Sequence, residues 1–211
     1  MLRRTKYAAI VLAIAMPAVL GGAQAAQATP LVQTCTTQSG HQLCFNQKGG
    51  LNNYNQPVIG YPPGDDNNAF GFKYMSLMCG GGKVTSNCPF TVGSDLNDRY
   101  EGDYIAAVEN QNTADTCVGT AGNGAAIETA CPDEYGENGG DGSIFILSPA
   151  NGNPEDQPYY LVSRFWSDIN YSDGTKDAPA WACAYTSSSA ILLNYPTGQS
   201  GYCTWEEVVN V

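Results

Sequence analysis

Histidine is almost missing from this chain of 211 residues, His41 being the only one. No Cys-x-x-Cys and no Gly-x-Ser-x-Gly occurs in it. A histidine-dependent triad therefore has little to work with, and a structural metal site of the usual spacing has no ligand set. Basic residues are scarce as well, nine Lys and Arg against twenty Asp and Glu, for a formal net charge of −11. A surface of that sign repels nucleic acid, anionic lipid and acidic polysaccharide, so a neutral or cationic partner is expected. Beyond Pro30 no apolar run is long enough to cross a bilayer. Nor does any segment there repeat its apolar residues with the 3.6-residue period of a helix. These absences leave an all-β chain, with no cofactor, metal or membrane implied.

The apolar run that does exist lies at the start. Arg3, Arg4 and Lys6 precede an apolar stretch from Tyr7 to Leu20, and the small-residue segment GGAQAAQA follows. This is the layout of a secretory signal peptide with cleavage near Ala26 or Ala28, so residues 1–28 are set apart from a single domain over 29–211. Cleavage removes three of the nine basic residues and none of the acids, which takes the net charge from −11 to −14. All eight Cys follow the cleavage site, an even number in an exported chain, so four disulfides are expected. Cys35/Cys44, Cys79/Cys88, Cys117/Cys131 and Cys183/Cys203 each close a short loop. Sequential pairing is the expectation, although spacing alone leaves other connectivities open. The mature protein is expected to be released outside the cell.

Within the mature chain a loose pattern occurs three times. A Cys-bearing strand is followed by a Gly, Asn or Ser turn, a second apolar strand, a polar loop and a strand centred on an aromatic. Cys44, Cys117 and Cys183 fall about 70 residues apart, and Phe70, Phe145 and Trp205 keep the same order. A β-prone run precedes each Cys, so each repeat reads as four strands. The first repeat has them at 31–35, 42–46, 58–61 and 69–72; the second at 104–109, 116–119, 125–129 and 144–147. The third has them at 159–165, 182–185, 190–195 and 202–208. Twelve strands in three units is the count of a β-trefoil, in which first and fourth strands close a barrel and the others form hairpins over one end. A disulfide-rich β-sandwich is the rival architecture. Residues 73–103 do not fit the repeat and read as an inserted loop with its own disulfide.

The repeat resembles that of ricin-B-type lectins, whose units carry a Cys-x-Asp strand, a strand ending in an aromatic and a closing Gln-x-Trp. Cys44-Phe45-Asn46 stands where Cys-x-Asp would be, Val58-Ile59-Gly60-Tyr61 matches the strand with the aromatic, and Asn67-Asn68-Ala69-Phe70 matches the closing element. The resemblance implies carbohydrate binding in repeat one, with Tyr61 as an apolar plate under a sugar ring and Asn46, Asn67 and Asn68 as its polar rim. An Asn in place of Asp keeps a carbonyl acceptor but loses the charge-assisted bond. In repeat two Gly119 takes the acid position and Ala130 and Cys131 fall at the plate. Repeat three offers Tyr195 as a plate and a bulky Tyr185 in place of the acid.

Other readings draw on other residues. The acids Asp65, Asp66, Asp133, Glu134, Glu137 and Asp141 match no calcium-loop spacing and read as solvated turns. Twenty acids leave a carboxylate pair for glycoside hydrolysis conceivable, yet they lie in loops, and a non-catalytic protein is expected. The alternative to a lectin is a protein-binding module. Lys83-Val84, inside the loop Cys79 to Cys88, is the sort of rigid bond that a secreted protease inhibitor presents. The expected partner is thus a neutral glycan or another secreted protein.

Overall fold

Strands form in this chain where aromatic and β-branched residues recur at alternate positions, and they end at Gly, Asn, Asp and Pro, which favour turns. The computed structural model describes residues 31–38, 40–50, 54–64, 67, 69–78, 99–132, 141–153, 155, 157–167, 179–195 and 203–210. The expected signal peptide, Asp65, Asp66, Asn68, Asp133, Glu134, Glu137, the Cys79/Cys88 pair, Lys83 and Val84 lie outside them. Twelve strands are present among the described residues. Repeat one contributes β1 (Leu31–Gln38), β2 (His41–Gln47), β3 (Val58–Tyr61) and β4 (Phe70–Leu77). Repeat two contributes β5 (Tyr104–Asn110), β6 (Thr116–Thr120), β7 (Ala126–Ala130) and β8 (Phe145–Pro149). Repeat three contributes β9 (Tyr159–Ser163), β10 (Ala180–Cys183), β11 (Leu192–Tyr195) and β12 (Thr204–Asn210).

Several strand boundaries differ from expectation by a few residues, β4 by the most. β4 continues to Leu77 instead of ending at 72, because Tyr74, Ser76 and Leu77 find ladder partners on β5 across a bulge. The first strand of repeat three stops at Ser163, and 164–167 form a single helical turn instead of strand.

Six strands make the barrel. Antiparallel ladders join β4 to β5, β8 to β9 and β12 to β1, which are the joints between repeats. Within repeats, β5 pairs β8 and β9 pairs β12. Side chains tie β4 to the strands across the remaining seam: the Thr34 hydroxyl on β1 donates to the Phe70 carbonyl at 2.9 Å, and Glu207 Oε1 on β12 accepts from the Phe72 amide at 2.5 Å. The remaining strands form three hairpins, β2–β3, β6–β7 and β10–β11. The fold is a β-trefoil.

Phe70, Phe145 and Trp205 are fully buried in one cluster with Phe45, Val58, Val118, Ala126, Ile191 and Leu193. Phe45 stacks on Trp205 with centroids 4.1 Å apart, and the Trp205 indole N–H donates to the Ala182 carbonyl at 2.8 Å. The barrel is also covered outside. Ile105, Ile146 and Val162 sit opposite one another on β5, β8 and β9 and pack with Met78, Tyr100 and Trp181 in a second cluster. Three disulfides pair in sequence, Cys35–Cys44, Cys117–Cys131 and Cys183–Cys203. Such bonds fit an oxidising compartment. No helix among the described residues is long and apolar enough to cross a membrane.

Candidate functional site

The three hairpins meet around the threefold axis, and their contacts repeat with the symmetry. Pro57 bridges Ile127, Ala125 bridges Leu192, and Ala190 bridges Ile59. Residues 57, 125 and 190 are therefore equivalent, as are 59, 127 and 192. One step further on, the amide of Gly60 donates to the Ser189 carbonyl, that of Glu128 to Gln56, and that of Leu193 to Gly124, at 2.8–3.0 Å. The turn residue before each acceptor is left-handed or next to one that is: Asn55 has φ 67° and Ser188 has φ 65°. The amides of Asn55 and Ser188 donate back to the carbonyls of Glu128 and Gly60. Two residues of a turn thus oppose one residue of the next hairpin, the geometry of a bulge.

In hairpin one, Asn46 is paired with Ile59 and Cys44 with Tyr61. Side chains alternate along a strand, so Asn46 and Tyr61 share the outer face as diagonal neighbours, while Phe45 points into the core. Tyr61 is 37% exposed, but Asn46 is only 4% exposed. Asn67 is half-buried in the connection to β4. The register therefore places two of the expected site residues on one face and buries the polar one.

The other repeats differ from expectation. In repeat two, Gly119 pairs with Ile127 and does take the position of Asn46, but Thr129, not Ala130 or Cys131, takes that of Tyr61. A Cβ on Gly119 would fall 2.3 Å from Thr129 Cγ2, so only glycine fits and the place is closed. In repeat three a register shift between Trp181 and Cys183 puts Cys183 opposite Leu192. The position of Asn46 thus belongs to the disulfide-bonded Cys183 instead of Tyr185, and that of Tyr61 to Asn194 instead of Tyr195. Asn194 packs against Gly124, where a Cβ would meet its amide carbon at 2.2 Å.

Two features had no counterpart in the sequence reading. One is the turn of repeat three, in which Thr186, Ser187 and Ser188 are exposed and the Thr186 and Ser189 hydroxyls hydrogen-bond each other. Its backbone is seated on Gly60, the residue before Tyr61. The other is Glu128, fully buried between Gln47 and Asn110, whose side-chain amides donate to its two oxygens at 2.7 Å each. Burial pushes its carboxyl up from the ordinary 4.5, and the two hydrogen bonds pull it partly back. Its only sequence signal is an acid two residues from inward-facing Ala126 in AIETA. Among the described residues no group of three or more His, Cys, Asp or Glu is placed to hold a metal ion.

No protein-family model matches the chain. No curated protein matches it either. Among solved structures it is similar to a designed 3-fold symmetric protein, ThreeFoil, at 16% identity and a TM-score of 0.47, over 85% of this chain and 99% of that one. The assignment of the β-trefoil rests on the strand pairing described above.

Proposed function

We propose that the protein is a secreted, non-catalytic binding protein that takes a neutral glycan at hairpin one. The observation that carries this reading is Tyr61, an aromatic ring 37% exposed at a strand end, on the face it shares with Asn46. A pyranose offers an apolar C–H face to such a ring and its hydroxyls to the polar groups around it. The net charge of −11 selects against acidic sugars. The resemblance to ricin-B-type repeats supports the same reading. Binding to an array of neutral glycans is expected, and Tyr61→Ala is expected to abolish it with the fold intact; undiminished binding by that variant refutes the site.

A second reading, a protein-binding trefoil, has an observation of its own. Tyr74, Leu77 and Val209 are exposed on β4 and β12, towards the barrel end away from the hairpins. Tyr74 packs edge-on against Phe72 and Tyr104 at centroid distances of 6.2 and 5.4 Å. Burial and then the nearby Glu207 hold the Tyr74 hydroxyl well above its usual range. Aromatic faces beside a carboxylate suit a partner's Lys or Arg side chain. Capture of a basic protein that Tyr74→Ala abolishes, and Tyr61→Ala spares, would favour this reading.

A further inference from the structure

We infer that the polar rim of the glycan site on Tyr61 is supplied by repeat three, through the hydroxyls of Ser187 and Ser188 in the turn Thr186 to Ser189, and not by Asn46. This inference rests on the glycan reading and names what within that site decides specificity. Asn46 is 4% exposed, so its amide is shielded from a ligand that approaches from solvent. Thr186, Ser187 and Ser188, in the turn of the neighbouring hairpin, do face solvent.

The placement follows from the bulge. Gly60 donates to the Ser189 carbonyl at 3.0 Å and accepts from the Ser188 amide at 2.7 Å. Ala190 bridges Ile59 in the antiparallel sense, so the turn residues that precede Ala190 run alongside Gly60 and Tyr61. At the junction between hairpins two and three the left-handed residue is Gly124, the counterpart of Ser189, and it lies against the side chain of Asn194, the counterpart of Tyr61. At the junction with Tyr61 the left-handed residue is Ser188 instead, so two turn residues, Ser188 and Ser189, meet Gly60 there.

The chemistry fits a neutral polyol. The hydroxyls of Ser187 and Ser188 can each donate one hydrogen bond and accept two, and neither carries charge. They can pair with the adjacent hydroxyls of a sugar whose C–H face rests on the ring. The symmetry also limits the number of sites. At the junction of hairpins two and one the ring is replaced by Thr129, and at that of hairpins three and two Asn194 closes on Gly124. One site per chain is expected.

The test compares three proteins on an array of neutral oligosaccharides: wild type, Tyr61→Ala, and the double variant Ser187→Ala/Ser188→Gly. Glycine at 188 tolerates the left-handed φ of 65°, so the backbone of the turn is kept and an unchanged melting temperature confirms it. The double variant is expected to bind about tenfold more weakly, or to change the rank order of the glycans. Full binding with unchanged rank order by the double variant, alongside loss in Tyr61→Ala, overturns the inference and leaves the glycan reading standing. Absence of binding by the wild type overturns both.

Discussion

Phe70, Phe145 and Trp205 stand on the fourth strands of the three repeats and are all fully buried in one cluster. Gly60, Glu128 and Leu193 occupy one equivalent position on the third strands and have nothing chemical in common. The same symmetry governs both sets. At the barrel centre three chains must fill one shared space, so each supplies a large ring. At the cap each position answers to its own neighbours. Gly60 has Ala184 pressed against it, Glu128 has two amide donors, and Leu193 joins the apolar core. The cap is therefore where one repeat can acquire a property that the others lack.

Breaking the barrel side of this contrast has the largest effect. Trp205→Ala removes a ring stacked on Phe45 and a buried indole hydrogen bond, and is expected to cost about 3–5 kcal/mol in urea unfolding. A loss under about 1 kcal/mol would mean that the three repeats do not depend on a common centre.

Glu128 comes next. Glu128→Ala removes the buried acceptor that the amides of Gln47 and Asn110 share, at a cost of about 2–3 kcal/mol. Gln47 belongs to repeat one, and Asn110 and Glu128 to repeat two, so the loss weakens a joint between repeats and not a single hairpin. Leu193→Ala at the equivalent position should cost about the same for a different reason, a cavity. Retained stability in Glu128→Ala would show that water replaces the carboxylate.

Much of the barrel was legible in the sequence and little of the cap. The strand count, the three described disulfides and the shared burial of Phe70, Phe145 and Trp205 follow from patterns within one strand or loop. Turn residues mark the strand ends, Cys spacing marks the loops, and a large aromatic in a closing strand has only the core to enter. The cap depends on contacts between residues far apart in the chain. The pairing shift between Trp181 and Cys183 changes which residues of β10 and β11 face each other, which is why Tyr185 and Tyr195 read as site residues while Cys183 and Asn194 take their positions. The burial of Asn46 and the seating of the 186–189 turn on Gly60 are set by neighbouring hairpins in the same way.

A smaller effect separates the two regions by pH. Burial raises the Asp103 carboxyl from 3.8 to about 6, and a hydrogen bond from Ser148 opposes the rise. Glu128 is raised as well. An acid raised in the folded state binds its proton more tightly there than in the unfolded chain. Its contribution to stability is thus complete below the ordinary value and is lost as pH rises through the raised one. Asp103 is partly open to solvent, so its share is at most about 1 kcal/mol. Stability of the wild type should fall between pH 4 and about 6.5, and Asp103→Asn should flatten that slope while leaving the response through Glu128 in place. Parallel curves for wild type and Asp103→Asn would contradict the raised carboxyl.

The smallest effect on stability is expected where the proposed function lies. Tyr61 is at a strand end with its ring partly in solvent, outside the buried clusters of the barrel. Tyr61→Ala should shift the unfolding free energy by no more than about 0.5 kcal/mol, against several for Trp205→Ala. A binding plate and a core ring differ in this respect: the first can be removed from the folded protein with only the ligand noticing. If Tyr61→Ala instead destabilised the chain as Glu128→Ala does, the ring would be holding Asn46 and hairpin one together, and the contrast between a shared centre and a free cap would fail at the residue that matters most. Urea midpoints for Trp205→Ala, Glu128→Ala and Tyr61→Ala, measured side by side at one pH, decide this by their order alone.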